Sequence, residues 1–114
     1  MKNKSETLFN IKDAYYQSWM INENEKGTDI ILNLINVQKG VTFDSLIFRG
    51  IKLPVFIDAK DTVVILKSIL TVGMSKIRIE KEVVDKPNQL LYTFQGIKHS
   101  YFLKNIRRLQ TKYY

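Results

Sequence analysis

From residue 28 onward, apolar and polar residues alternate in short runs. Ile30, Leu32 and Leu34 share one side of an extended chain, Ile51, Leu53, Val55 and Ile57 one side of another, and Leu90, Tyr92 and Phe94 one side of a third. A spacing of two is the period of a half-buried β-strand. Turn-forming residues punctuate the runs: Gly27, QKG at 38–40, RG at 49–50, DAKD at 58–61, Gly73, DKPN at 85–88 and QG at 95–96. Short segments rich in Ile, Val, Leu, Phe, Tyr and Thr between such marks predict an all-β fold. We read it as one antiparallel β-sandwich or flattened barrel of about seven to eight strands.

Individual segments sharpen this reading. TVVILKSILTV, 62–72, is apolar on both sides except at Lys67, Ser68 and Thr71, which suits a strand covered on both faces or a short buried helix; its β-branched residues favour the strand. LLYTFQGIKHSYFLKNI predicts a hairpin of strands 89–94 and 98–104 around Gln95 and Gly96, where glycine accepts the positive φ of a tight turn. Pro54 places its strand at an edge or a bulge, because proline has no N–H for a ladder. FNIKDAYYQSWMIN is ambiguous. A helix would gather Ile11, Ala14, Tyr15, Ser18 and Trp19 on one face, and a strand would gather Ile11, Tyr15, Trp19 and Ile21; the company of many strands favours the strand. That choice makes Tyr15 and Trp19 core aromatics, with Trp19 largely buried, alongside Phe48, Tyr92 and Phe94.

Length and composition set the outer limits. A chain of 114 residues, 45% hydrophobic and 25% charged, has the make-up of one globular domain spanning 1–114, with 1–8 expected as a flexible N-terminus. The apolar runs are far shorter than the roughly 20 residues needed to span a bilayer. The start, MKNKSETLFN, has lysines but no apolar stretch behind them, so no secretory signal is legible in it. Absence of cysteine removes disulfides, thiolate nucleophiles and cysteine metal sites. A single histidine, His99, excludes a multi-histidine metal centre within one chain. No cofactor or metal is implied.

Charge is uneven. Up to residue 85 twelve basic residues face eleven acidic ones, whereas 86–114 holds six basic residues and no acid. Such asymmetry points to an anionic partner.

Three stretches together, IKDAYYQSW, DSLIFRG at 44–50 and the closing YTFQGIKHSYFLKNI with its basic tail, resemble a group of small uncharacterised all-β proteins of flavobacteria and other Bacteroidota. In that group a YYQSW-like strand, a DSIYFRG-like strand and a final aromatic hairpin recur in this order. The resemblance implies an all-β fold and a periplasmic or cell-envelope location, and carries no assigned activity. Two departures stand out: INENEKGTD replaces the glycine-rich loop that follows the first motif in the group, and the leader common there is not seen.

Candidate sites follow from charge and aromatic placement. Lys98, His99, Lys104, Arg107, Arg108 and Lys112, interleaved with Tyr101, Phe102, Tyr113 and Tyr114, form a candidate ligand-binding run; the alternative is a solvated strand edge whose charges discourage aggregation. Tyr15, Tyr16 and Trp19 are either a stacking platform or core, and we expect core. Arg49 is a ligand-gripping arginine at a loop mouth or a structural partner of Asp44 or Asp13. No catalytic residues are assigned: His99 has no local nucleophile or carboxylate, and the acids at 23–25 and 80–82 read as solvated. The expectation is a non-enzymatic binding or accessory domain of the bacterial envelope, contacting a protein, glycan or anionic surface. The alternative is a cytoplasmic small-barrel protein that binds single-stranded nucleic acid.

Overall fold

In a computed structural model the described residues, 8–72 and 87–114, form nine β-strands and no helix. They are β1 (Asn10–Asn22), β2 (Glu25–Ile35), β3 (Val41–Phe48), β4 (Ile51–Pro54), β5 (Phe56–Lys60), β6 (Val63–Val72), β7 (Asn88–Phe94), β8 (Ile97–Leu103) and β9 (Arg107–Tyr113). Five strands make one sheet in the order β5-β6-β2-β1-β9, and four make the other in the order β4-β3-β7-β8. The expected all-β sandwich is thus present, with nine strands. Every pairing is antiparallel except that of β1 with β9.

The period-two residues explain the core. Ile30, Leu32 and Leu34 of β2 and Leu66 of β6 turn inward from the five-stranded sheet. They meet Leu46 and Phe48 of β3, Leu53 of β4 and Leu90 of β7. Burying each such side chain contributes roughly 1.5–3 kcal/mol. At one end Phe9 presents its ring edge-on to Phe43 and Tyr92, with centroids 5.5 and 5.1 Å away. Leu8, expected in a flexible N-terminus, packs against this core, and its carbonyl accepts the Gln38 N–H at 2.8 Å. Residues 1–7 lie outside the described residues, as do Gly73, the first residues of DKPN and the acids Glu80 and Glu82.

Two hairpins have the tight turns that twisted strands prefer. Arg49 and Gly50 join β3 to β4 with φ of 53° and 80°, and Gln95 and Gly96 join β7 to β8 with φ of 54° and 77°. Positive φ at both central residues is the pattern of a two-residue turn that matches strand twist.

Several expectations need correction. The run Ile51–Ile57 is two strands, because the chain leaves one sheet at Pro54 and enters the other at Phe56. Ile51 and Leu53 point to the core, while Ile57 is exposed. Proline's missing N–H ends the β4 ladder, and the Ser68 hydroxyl of β6 donates to the Pro54 carbonyl at 2.8 Å, pinning the corner. β6 is covered on one face only: Leu66, Ser68 and Leu70 are buried, whereas Lys67 and Ile69 are exposed.

AYYQSWM belongs to β1, but its faces are the reverse of those expected. Ala14 and Tyr16 face the core, Tyr16 with its ring 5.4 Å from that of Phe48. Tyr15 and Trp19 lie on the outer face of the five-stranded sheet and are only half-buried. The physical reason is a bulge between Ile11 and Asp13: an extra residue in a strand switches which side chains point inward. Gly27, read as a turn residue, sits inside β2 opposite Trp19. A Cβ there would lie 2.6 Å from Trp19 Cζ2 and 2.7 Å from the Leu70 carbonyl oxygen. Glycine in this strand therefore marks a close approach rather than a bend, and the indole N–H completes the arrangement by donating to Asp29 Oδ1 at 3.0 Å.

Candidate functional site

The cations singled out in the sequence do not form one surface. Arg107, on β9, donates from Nη2 to both carboxylate oxygens of Asp13, at 3.0 and 2.8 Å, and lies 5.7 Å from the Tyr15 ring centroid. Lys112 sits over Tyr114, and Arg108 pairs in register with Tyr16. Arg49 makes neither of the expected ion pairs: Asp13 is held by Arg107, and Asp44 accepts from Thr93. Its guanidinium instead lies 5.3 Å from the Tyr16 ring and 4.9 Å from the Phe48 ring, and the Arg49 backbone N–H donates to Asn88 Oδ1 at 2.8 Å. Arginine covering core aromatics at a sandwich end is a structural role.

Lys104 and Arg107 border a hollow of about 780 Å³ between the start of β1 and the crossover from β8 to β9. Topology accounts for it. β9 joins β1 only from Tyr15 onward, so among the described residues the preceding part of β1 has no neighbouring strand on that side. This edge is already closed: the Ala14 N–H donates to Asp13 Oδ1 at 2.9 Å, and Asp13 is held by Arg107. Lys12 at the bulge adds a charge. A bulge and a lysine are among the usual means of blunting an exposed strand.

A second hollow, of about 630 Å³, crosses the outer face of the four-stranded sheet. Register builds it. Pro54, Ser45, Leu91 and Ser100 stand in one row across β4, β3, β7 and β8. The row is low because two of its members are serines. Beside it runs a taller row of Lys52, Ile47, Gln89 and Phe102. On the other flank stand Thr93 and Lys98, with Asp44 raised by a bulge between Phe43 and Ser45. The Thr93 hydroxyl donates to Asp44 Oδ2 at 2.7 Å and orients a carboxylate that keeps its charge, so the serine-floored trough carries two cations, Lys52 and Lys98, against one anion. Ser45 is buried, and its hydroxyl has no hydrogen-bond partner within the protein, an uncommon arrangement in native structures.

His99 borders this trough where β8 passes it, but its ring is on the inner face of the sheet, stacked on Tyr92 at 5.1 Å and 16°. Burial, and after it the neighbouring Tyr101, push the Tyr92 hydroxyl above its ordinary pKa of 10.0. Tyr92 and Phe48 are core aromatics as expected, while Phe94 is half-buried. Of the proposed site residues only Lys98 and His99 belong to the trough. Ser45, Lys52, Gln89 and Ser100 were missed because each looks like the polar half of an alternating strand, and Leu91 because it looks like core beside Leu90; what unites them is pairing between distant segments.

Among the described residues no group of three potential metal ligands occurs, and no helix is long and apolar enough to cross a membrane. No family model, curated protein or solved structure matches this chain. Fold and site together therefore define it as a two-sheet all-β sandwich with a cationic trough on its smaller sheet.

Proposed function

We propose that this protein is a non-enzymatic binding domain of the bacterial cell envelope, and that the trough on the four-stranded sheet takes a carboxylate-bearing glycan. The observation that carries the reading is the row Ser45–Leu91–Ser100 flanked by Lys52 and Lys98. Hydroxyls, an amide from Gln89 and a short apolar floor suit a polyhydroxylated chain. The two ammonium groups suit its carboxylates. The trough contrasts with the edge hollow, which is a by-product of topology already closed by an ion pair. It also lacks the row of aromatic faces on which successive unpaired bases stack. The envelope location rests on the resemblance of the three sequence motifs.

Titration calorimetry with oligogalacturonate tests the proposal. Binding should weaken with added salt, as interactions between exposed charges do. Lys52→Ala and Lys98→Ala should each reduce affinity about tenfold, equivalent to roughly 1.4 kcal/mol, while Lys112→Ala on the other sheet should not. Tighter binding of oligothymidylate than of the glycan would contradict the assignment, as would equal losses from Lys112→Ala.

A further inference from the structure

We propose that β8 is a dimerisation edge that pairs antiparallel with β8 of a second copy, the twofold axis passing through Ser100. β8 ends the four-stranded sheet and, among the described residues, has no strand on its outer side. It is seven residues long, contains no proline, and leaves Ile97, Tyr101 and Phe102 60%, 41% and 54% exposed.

Hydrogen-bond phase fixes which residues are free to pair. The two-residue turn at Gln95 and Gly96 makes Phe94 and Ile97 a hydrogen-bonded pair. The register from there to Asn88 and Leu103 runs without a shift, so Ile97, His99, Tyr101 and Leu103 direct their backbone groups to β7. Lys98, Ser100 and Phe102 direct theirs outward. An antiparallel partner centred on Ser100 meets these same outward groups: Ser100 faces Ser100 of the partner subunit and Lys98 faces the partner's Phe102.

Side chains agree with the backbone in that register. On the outer face each lysine lies beside an aromatic ring rather than another lysine, a favourable contact, and the two small serines share the axis. On the inner face His99 meets the partner's Tyr101, and Ile97 meets the partner's Leu103. The other strand edges lack this self-complementarity. Pairing β5 with its own copy about its centre sets Asp58 against itself, β9 carries Arg107, Arg108 and Lys112, and β4 is four residues long and ends in Pro54. An isologous edge pairing of this kind closes at two subunits. It also joins the serine-floored row of one copy to that of the other through Ser100, although the dimer rests on the β8 edge and not on the ligand reading.

Sedimentation equilibrium of the ligand-free protein at submillimolar concentration should give twice the 13.4 kDa chain mass. Phe102→Lys, which sets lysine against the partner's Lys98, should return the monomer. Phe102→Glu, at the same exposed position, should keep the dimer by pairing with that lysine. The chain contains no cysteine, so Ser100→Cys should form a disulfide-linked dimer under mild oxidation, because hydrogen-bonded antiparallel pairs place their Cα atoms about 5.5 Å apart, within disulfide reach. Lys98→Cys should not. A monomer at every concentration, equal behaviour of the two Phe102 variants, or equal cross-linking at positions 98 and 100 would overturn the proposal. All these readouts are made without ligand, so the glycan reading stands or falls separately.

Discussion

Replacing Gly27 with alanine tests the contact that gives AYYQSWM its place in the fold. The new methyl carbon would sit 2.6 Å from Trp19 Cζ2 and 2.7 Å from the Leu70 carbonyl oxygen, whereas carbon atoms in comfortable contact are about 3.5–4.0 Å apart. The indole can tilt away by loosening its 3.0 Å bond to Asp29. The Leu70 carbonyl belongs to the backbone of β6, beside the paired residues Thr28 and Leu70, and has little room to move. Overpacking of this kind costs about 1–3 kcal/mol, and the smaller entropy of an unfolded alanine returns about 0.4–1 kcal/mol. The net expectation is a loss of about 1–2 kcal/mol, or roughly 4–8 °C in Tm for a domain of this size. Far-UV circular dichroism during heating and urea titration measures it independently of the lone tryptophan. Emission from Trp19 should shift to the red in the folded variant as the ring lifts off β2. In a Trp19→Ala background the cost should shrink but persist, because the Leu70 contact remains. A Gly27→Ala protein as stable as its parent, with unchanged emission, would refute the reasoning.

Much of the fold is legible in the sequence because a buried face needs apolar residues at every second position. Ile30, Leu32 and Leu34 announce β2, and Gln95-Gly96 announces the last hairpin. What the sequence conceals are places where one residue changes the phase. The bulge after Ile11 turns Trp19 outward and Tyr16 inward, and an alternation of mostly aromatic residues offers no contrast by which to see it. Pro54 was visible as an edge signal, yet nothing local says that the chain changes sheets there. Gly27 looks like a turn unless the residue across the ladder is known to be tryptophan. The trough was less legible still. Ser45, Lys52, Gln89 and Ser100 come from four strands, and the charge excess that drew attention to 86–114 is dispersed over two sheets, with Arg107 neutralised by Asp13.

Other expectations follow from the same geometry. Ser68→Ala removes the hydroxyl that bonds the Pro54 carbonyl; it should lower stability by about 1–2 kcal/mol in urea titration, and an effect below a few tenths would remove the corner pin from the account. Tyr92 gives the alkaline limb of stability a sign. Its hydroxyl is held protonated in the fold above the ordinary pKa of 10.0, so the unfolded chain releases the proton first. Stability should be flat from this group at neutral pH and fall as pH rises through 10 toward the folded pKa. Tyr92→Phe should flatten that limb, and an unchanged slope would assign the loss to other groups.

The trough itself is tested most directly by NMR titration of the isotope-labelled protein with oligogalacturonate. Backbone amides of Ser45, Lys52, Gln89, Leu91 and Ser100 should shift together with a single saturation curve, while those of Leu109 and Lys112 stay in place. Shifts centred on β9 or on the crossover hollow, or none at all, would contradict the account.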